Sequence, residues 1–571
     1  MMYRKITFIV LMVLSITPSI AQEGRKVWLS GSSRGIIYAD KFETGGDVRD
    51  TTTARKTQSG YALVDLGIHV QPVKNVEIQG MLRIRNDLGG FWGSGVTLDL
   101  RQLSVKGVIA DIIRFQLGDI DYKLSPYTFQ NSEEWVLQNT GPLTTVPLDF
   151  IRYDVFQNDD LTWRQQGLAT DFGFQFKKII KEANFSLFVN RVQAGFDNGG
   201  NDRMIGGGMM EIIPMENLRA RFHYVNLFDI AETSSNPVAL NNPVQTLAVL
   251  YDKQFGAWSG HAEFEGGRSK MEWLGDDEAP VLEDGFFDAQ VSAKHASSGI
   301  KMSVSWREVG SNFRSPGAQS KRIRFNSSVQ AYQRYGNEQA LRQISTYDLV
   351  RDASLYNTQI QAGLMAFDPR YGNATPYGRA TPNRRGVTTG IEWREKADKV
   401  GLNIGFDRLS DIVGQGTDEK RNFTLLSVGG DIRIDKYLNL KQKLNLTATW
   451  QSENTERDGS EFDAVDLSNS IIQAGLEWEF IPKLSLLGEL RQWTSDGTDL
   501  LATRDDFSQI TDYNTFVTKT NETFWGSGLQ YTFSEKIKAQ VFYQQFSWED
   551  EISGQLPYKW ENWQINLYMA F

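Results

Sequence analysis

A closed antiparallel β-barrel that crosses a lipid bilayer, all-β and of about 22 strands within a range of roughly 18 to 24, is the fold this sequence predicts. Three observations predict it. Amphipathic segments with a period of two recur along nearly the whole 571-residue chain. Tight turns and long polar connections alternate between them. The chain stops on a half-apolar strand that places Trp563, Ile565, Leu567, Met569 and Phe571 on one face and Gln564, Asn566 and Tyr568 on the other. In a soluble sheet such an edge invites aggregation. In hydrocarbon, a barrel needs a last strand that pairs with the first. These five residues are assigned to the barrel-closing strand.

The N-terminus reads as an export signal over residues 1–21. Arg4 and Lys5 precede the apolar run Ile6–Ile16, and Ser19-Ile20-Ala21 supply small residues before a cut at Gln22. Residues 22–571 are then one barrel domain, and no later segment holds the ~20 apolar residues of a membrane helix. Cysteine is absent, which excludes a disulfide framework, Cys-based metal sites and a lipid-anchored cysteine. The net charge of −10 argues against a nucleic-acid partner. Negative mean hydropathy does not argue against a barrel, because lumen-facing residues offset lipid-facing ones.

The strands read clearly in several places. Val76, Ile78, Leu82 and Ile84 alternate with Glu77, Gln79, Arg83 and Arg85. Phe287–Ala293, Leu444–Trp450 and Ile472–Phe480 repeat the pattern. Charges in mid-strand are costly in a dry core and cheap against a water-filled lumen. Tight turns are expected at Pro72–Asn75, Lys177–Glu182, Pro214–Asn217, Ala296–Gly299, Ala397–Lys399, Asp435–Asn439, Ile481–Lys483 and Ser534–Lys536. Longer connections are expected at Ala39–Ser59, Tyr122–Trp163, Ile230–Pro243, Gly275–Asp284 and Asp496–Thr520. Trp28, Trp92, Trp258, Trp273, Trp306, Trp450, Trp493, Trp548 and Trp563 fall near strand ends, where a barrel in lipid carries aromatic girdles.

Two connections, at about 122–163 and 310–386, are too long for hairpin loops. Ser311–Arg385 holds eleven cations against four carboxylates, a net of +7. Ten of the eleven are Arg, the residue suited to carboxylate and phosphate recognition. Arg314, Lys321, Arg322, Arg324, Arg334, Arg342 and Arg351 are the candidates to line a constriction. Leu341, Ile344, Tyr347, Leu349 and Val350 point to a packed stretch within the loop. The Tyr122–Trp163 connection is acidic, at −4, and rich in aromatics. One or both loops fold inward and narrow the lumen, favouring anions, or they cap the outer surface and touch lipopolysaccharide or a partner protein, or they stay disordered. Opposite net charges favour docking of one loop on the other. Acidic runs at Asp276–Glu278 and Asp197–Asp202 lack EF-hand spacing and read as solvated tips rather than Ca²⁺ sites. Of the four histidines only His223 and His261 are expected far from the short-turn rim, and neither sits beside a nucleophile motif. The chain reads as no enzyme, with no cofactor and no metal.

The terminal Phe571, preceded by apolar residues at alternate positions, resembles the C-terminal signal of bacterial outer-membrane barrels. The mature chain as a whole resembles the larger porin-like barrels without a plug, exported with junctions such as the Ser-Ile-Ala-Gln of Bacteroidota. TonB-dependent transporters of similar strand number carry a plug ahead of the barrel. Here a first strand near Val27–Ala39 leaves no room for one. The resemblance implies residence in the outer membrane of a Gram-negative cell, contact with lipid and lipopolysaccharide, and handling by the barrel-assembly machinery. It implies passive or facilitated passage of hydrophilic solutes. The alternative is a non-transporting barrel that serves as a subunit or scaffold of a larger envelope assembly, docking through its long loops.

Overall fold

The computed structural model describes residues 26–44, 55–88, 95–131, 141–156, 161–177, 180–195, 200–327, 343–460, 463–552, 554 and 556–571. The export signal, Trp92, Arg334, Leu341 and Arg342 lie outside the described residues.

The first strands are β1 (Val27–Thr44), β2 (Arg55–Val73), β3 (Val76–Asp87), β4 (Val96–Ile109), β5 (Ile113–Tyr122), β6 (Trp163–Gln175), β7 (Glu182–Gln193) and β8 (Asp202–Met215). There follow β9 (Leu218–Ile230), β10 (Ala239–Phe255), β11 (Trp258–Leu274), β12 (Leu282–His295), β13 (Ile300–Val309), β14 (Arg384–Arg394), β15 (Val400–Ser410) and β16 (Asn422–Arg433). The last are β17 (Leu444–Arg457), β18 (Val465–Ile481), β19 (Leu484–Arg504), β20 (Ile510–Ser534), β21 (Ile537–Asp550) and β22 (Tyr558–Ala570). Each strand pairs antiparallel with its sequence neighbours, and β22 pairs with β1 from Ser32↔Ala570 to Thr44↔Tyr558. Phe571 and Gly31 complete the seam with reciprocal backbone hydrogen bonds of 3.0 and 3.1 Å. The result is a closed 22-stranded barrel with no open edge.

Closure rests on the period of two. On β22, Trp563, Ile565, Leu567, Met569 and Phe571 are 37–57% exposed on the outer wall, while Asn562, Gln564 and Asn566 are buried inside. The same split places Leu247, Val249 and Tyr251 outside and Thr246 and Ala248 inside on β10. Leu98, Leu100, Leu117, Phe287, Ile472, Leu490 and Val541 continue an apolar outer belt around the barrel. Burying such a belt in hydrocarbon is the physical requirement of a membrane barrel. No helix among the described residues is long and apolar enough to cross a membrane.

Five expectations are corrected. Asp496–Thr520 is not a loop: β19 and β20 run on through it and turn at 505–509. Ala39–Ser59 shrinks to the segment between Thr44 and Arg55. A tight turn at Gly256–Ala257, made possible by the left-handed φ of 61° at Gly256, places His261 beside the short-turn rim rather than far from it. Trp493 and Trp548 belong to no girdle; both are buried on the inner face. Finally, many lumen-facing charges meet protein rather than water, because the two long connections fold inside the barrel.

Candidate functional site

The first connection enters the lumen as a 15-residue helix, α1 (Pro142–Phe156). Pro142 suits the first helical position, where no amide hydrogen is required. The amides of Leu143 and Thr144 donate to the Glu489 carboxylate on β19, at 3.0 and 2.9 Å, and the Thr144 hydroxyl donates to the same group. An anion at a helix N-terminus satisfies orphan donors and opposes the helix dipole. Gly141 makes the approach possible, since a Cβ there would lie 2.5 Å from Glu489 Cδ. Gly141→Leu is therefore expected to detach the start of α1 from the wall. Trypsin should then cut the native barrel at Arg152, and an unchanged digest would show that this contact does not hold the helix.

At the other end of α1, Asp154 meets the wall formed by β1–β4. It pairs with Arg34, with Arg83 at 2.7 Å and with Arg101 at 3.7 Å. Buried Asp65 on β2 accepts from Arg83 and Arg101 at 2.7 and 2.8 Å. Arg101 points inward because a bulge between Met81 and Leu82 leaves it without a partner residue on β3. The helix, about 22 Å long at 1.5 Å per residue, thus lies as a crossbar from β19 to the β1–β4 wall.

The second connection, between Val309 and Arg384, packs against the wall through both polar and apolar contacts. Glu522 on β20 accepts from the Thr346 amide and hydroxyl at 2.9 and 2.5 Å and from the Tyr371 hydroxyl at 2.7 Å. Glu453 on β17 accepts from the Ala374 amide at 2.5 Å, and Asp499 on β19 accepts from the Asn373 amide group at 2.6 Å. Tyr347, Leu349, Val350, Tyr356 and Tyr371 form one buried cluster with Trp493, Phe524, Phe546, Trp548 and Trp560 of β19–β22. On the opposite wall, Phe129 and Ile360 pack with Phe188, Ile205, Val225 and Met271. Each large apolar side chain fully buried this way contributes about 1.5–3 kcal/mol.

The predicted constriction residues separate into distinct positions. Arg314 is buried, its amide bonded to Ser269 Oγ at 2.8 Å and its guanidinium to the Ser311 and Phe313 carbonyls. Burial pushes its pKa down to about 10, so it stays charged at neutral pH. Lys321 is buried, donates to the Pro376 carbonyl at 2.8 Å and faces Phe325, Phe367 and Tyr377. Arg322 lies over Phe156 at 5.0 Å, and Arg324 reaches Asn357 at 3.4 Å. Arg351 pairs with Asp40 of β1 at 3.1 Å and stacks 3.5 Å over Trp560. Arg379 pairs with Asp288 of β12 at 2.7 Å, and Arg384 with Asp411 at 2.6 Å. The loop's positive charge is thus spent in part on an acidic wall. The two connections meet through Gly317 accepting from Gln130 and Trp163, through Phe156 packed edge-on to Tyr356, and through Arg322 over the Phe156 ring.

Space remains around these loops. A cavity of about 470 Å³ lies near the short-turn end, lined by Glu77, Lys106, Arg114, Gln116, Asp121 and Asp171. One of about 290 Å³ lies above Asp154, against Tyr38, Tyr61, Arg85, Phe150 and Arg351. A third, of about 300 Å³, is lined by Gln290, Ser303, Ser305, Arg307, Arg379 and Asp407. Of the histidines, only His223 is away from the turn rim, and it is a buried partner of Thr246 at 2.9 Å. No group of three or more His, Asp or Glu among the described residues is arranged to hold a metal ion. The wall residues Asp40, Asp65, Glu453, Glu489 and Glu522 were not singled out from sequence; their one signal is a carboxylate in mid-strand on the inner face.

No protein-family model matches the chain, and no curated protein matches it. Among solved structures it is similar to Pseudomonas aeruginosa OpdL, at 8% identity over 95% of this chain and 99% of that one, with a TM-score of 0.37. Pseudomonas aeruginosa OccK11 (OpdR) matches at 8% identity, 95% and 96% coverage and a TM-score of 0.34. A BenF-like porin from Pseudomonas fluorescens Pf-5 matches at 9% identity, 95% and 99% coverage and a TM-score of 0.30. At these values the likenesses carry no functional weight, and the fold rests on the strand pairings themselves.

Proposed function

We propose that this chain is an outer-membrane channel for hydrophilic solutes, narrowed from the long-loop side by its own inward-folded connections. One observation carries this reading: a closed barrel with a charged inner wall keeps polar cavities on both sides of the loops that cross it. Ionisable residues face the lumen on strands around the barrel, among them Arg83, Arg221, Glu265, Arg307, Glu453 and Glu489. A purely structural barrel has no need of a charged wall beside open space. Lipid and lipopolysaccharide take the apolar belt, and the C-terminal strand is the element offered to the assembly machinery.

A second reading, a non-conducting barrel subunit of an envelope assembly, is favoured by the aromatic core that joins the second loop to β19–β22. Single-channel recording in planar bilayers separates the two. Stepwise currents from the refolded protein are expected, with reversal potentials in asymmetric KCl that report any preference for anions. A folded, heat-resistant barrel that stays silent would overturn the channel in favour of the subunit.

A further inference from the structure

Arg314 and Lys321, two of the cations expected to filter solutes, are buried within the loop packing, so the narrow point is sought elsewhere. Two cavities share the strip of wall built by β1–β6. The upper one, of about 290 Å³, includes Arg85 and Asp154 in its lining. The lower one, of about 470 Å³, includes Glu77 and Lys106. Along β3, Arg85 faces the upper cavity, Glu77 the lower one, and Arg83 stands between them. At the level of Arg83 the strip is crossed by the ion cluster of Arg34, Arg83 and Arg101 with Asp65 and Asp154. Four of the five members belong to the rigid wall. Asp154 alone belongs to a loop element, α1.

We propose that Asp154 is the gate residue of the permeation path, and that the path runs along the β1–β6 wall through the two cavities, narrowed between them by this ion cluster. The inference rests on the channel reading. Asp154 holds the end of the α1 crossbar against three guanidiniums, and Phe150, one turn earlier, lies 4.7 Å from the Arg34 guanidinium carbon. The cluster holds three cations against two carboxylates, and the Arg34 Nε lacks a hydrogen-bond partner although buried. Removing the Asp154 charge leaves Asp65, paired with Arg83 and Arg101, as the one carboxylate of the cluster. It therefore does two things at once: it loosens the crossbar, and it makes the narrow point more cationic. Rings of charge at a constriction set the sign of the ion that passes.

The test is single-channel recording of the wild type and Asp154→Asn, with reversal potentials in asymmetric KCl. The expected result is a rise in conductance of roughly two-fold and a shift of the reversal potential toward that of Cl⁻. A wild type that conducts and a variant indistinguishable from it would overturn the gate and leave the channel standing. Silence of both would overturn the channel itself. A second variant does not disturb the cluster. The chain has no cysteine, so Arg85→Cys places a single thiol in the upper cavity. A charged methanethiosulfonate reagent should reduce the current through that variant. A current unaffected by complete labelling would show that solutes take another route, and the proposed path would be wrong.

Discussion

Replacing Glu522 with leucine is expected to free the second inward loop while leaving the barrel intact. This carboxylate accepts three bonds from the loop, two from Thr346 and one from Tyr371, and all the groups are buried. Each donor stranded without water costs about 1–3 kcal/mol. Arg370 next to them adds to the loss. Burial pulls its pKa down and the adjoining Asp368 carboxylate more than reverses that, so the cation is held in place by its ion pair. The barrel's own hydrogen bonds are untouched. Native trypsin digestion should therefore release fragments cut at Arg351 and Arg370, while the unheated protein still migrates as a folded barrel. A wild-type digest would mean that the carboxylate is a bystander.

Trp560→Ala should have a comparable effect by an apolar route. Trp560 is fully buried on β22, with Tyr347 edge-on to it at 4.5 Å and Arg351 stacked on its face at 3.5 Å. Truncating a buried aromatic costs about 3–5 kcal/mol, and the lost cation–π contact adds roughly 0.5–2 kcal/mol. Arg351 would keep Asp40 but lose the surface that excludes water from the pair. Near-ultraviolet circular dichroism during denaturant titration should show the aromatic packing melting well before strand content is lost. Coincident transitions, with the same midpoint as wild type, would show that loop and barrel are not separable in this way.

What could be read from the sequence follows from where each side chain sits. The outer face is apolar over the bilayer and the inner face polar, so β3, β12, β17 and β18 stood out as alternating segments. The upper inner wall broke that rule. Phe524, Phe546, Trp548 and Trp560 point inward because loops, not water, lie against them, and a strand apolar on both faces carries no alternation. Beyond the bilayer the opposite failure hid the ends of β19 and β20, since both faces there are polar and read as loop. α1 was concealed by Pro142 and Pro147, since proline is disfavoured within helices; the first stands at the helix start, where no amide hydrogen is needed, and the second interrupts only the early turns. Arg101 faces the lumen only because of a bulge, which shifts the alternation by one residue. The positive excess of the second loop was plain, but the strand carboxylates that pair with part of it, Asp40 on β1 and Asp288 on β12, lie far apart in the sequence. Only the closed barrel brings those carboxylates to one space.

In this channel, loops folded into the closed barrel, not the barrel wall alone, set what passes. The decisive comparison excises Ser311–Pro382, joins the flanking strands through a short Gly-Ser linker, and sets single-channel conductance against that of the wild type in the same bilayer. A several-fold larger conductance is expected, with ion selectivity reduced toward that of an open aqueous pore. Equal conductance from a variant shown to be a folded barrel would contradict it, because the segment would then lie outside the current's path.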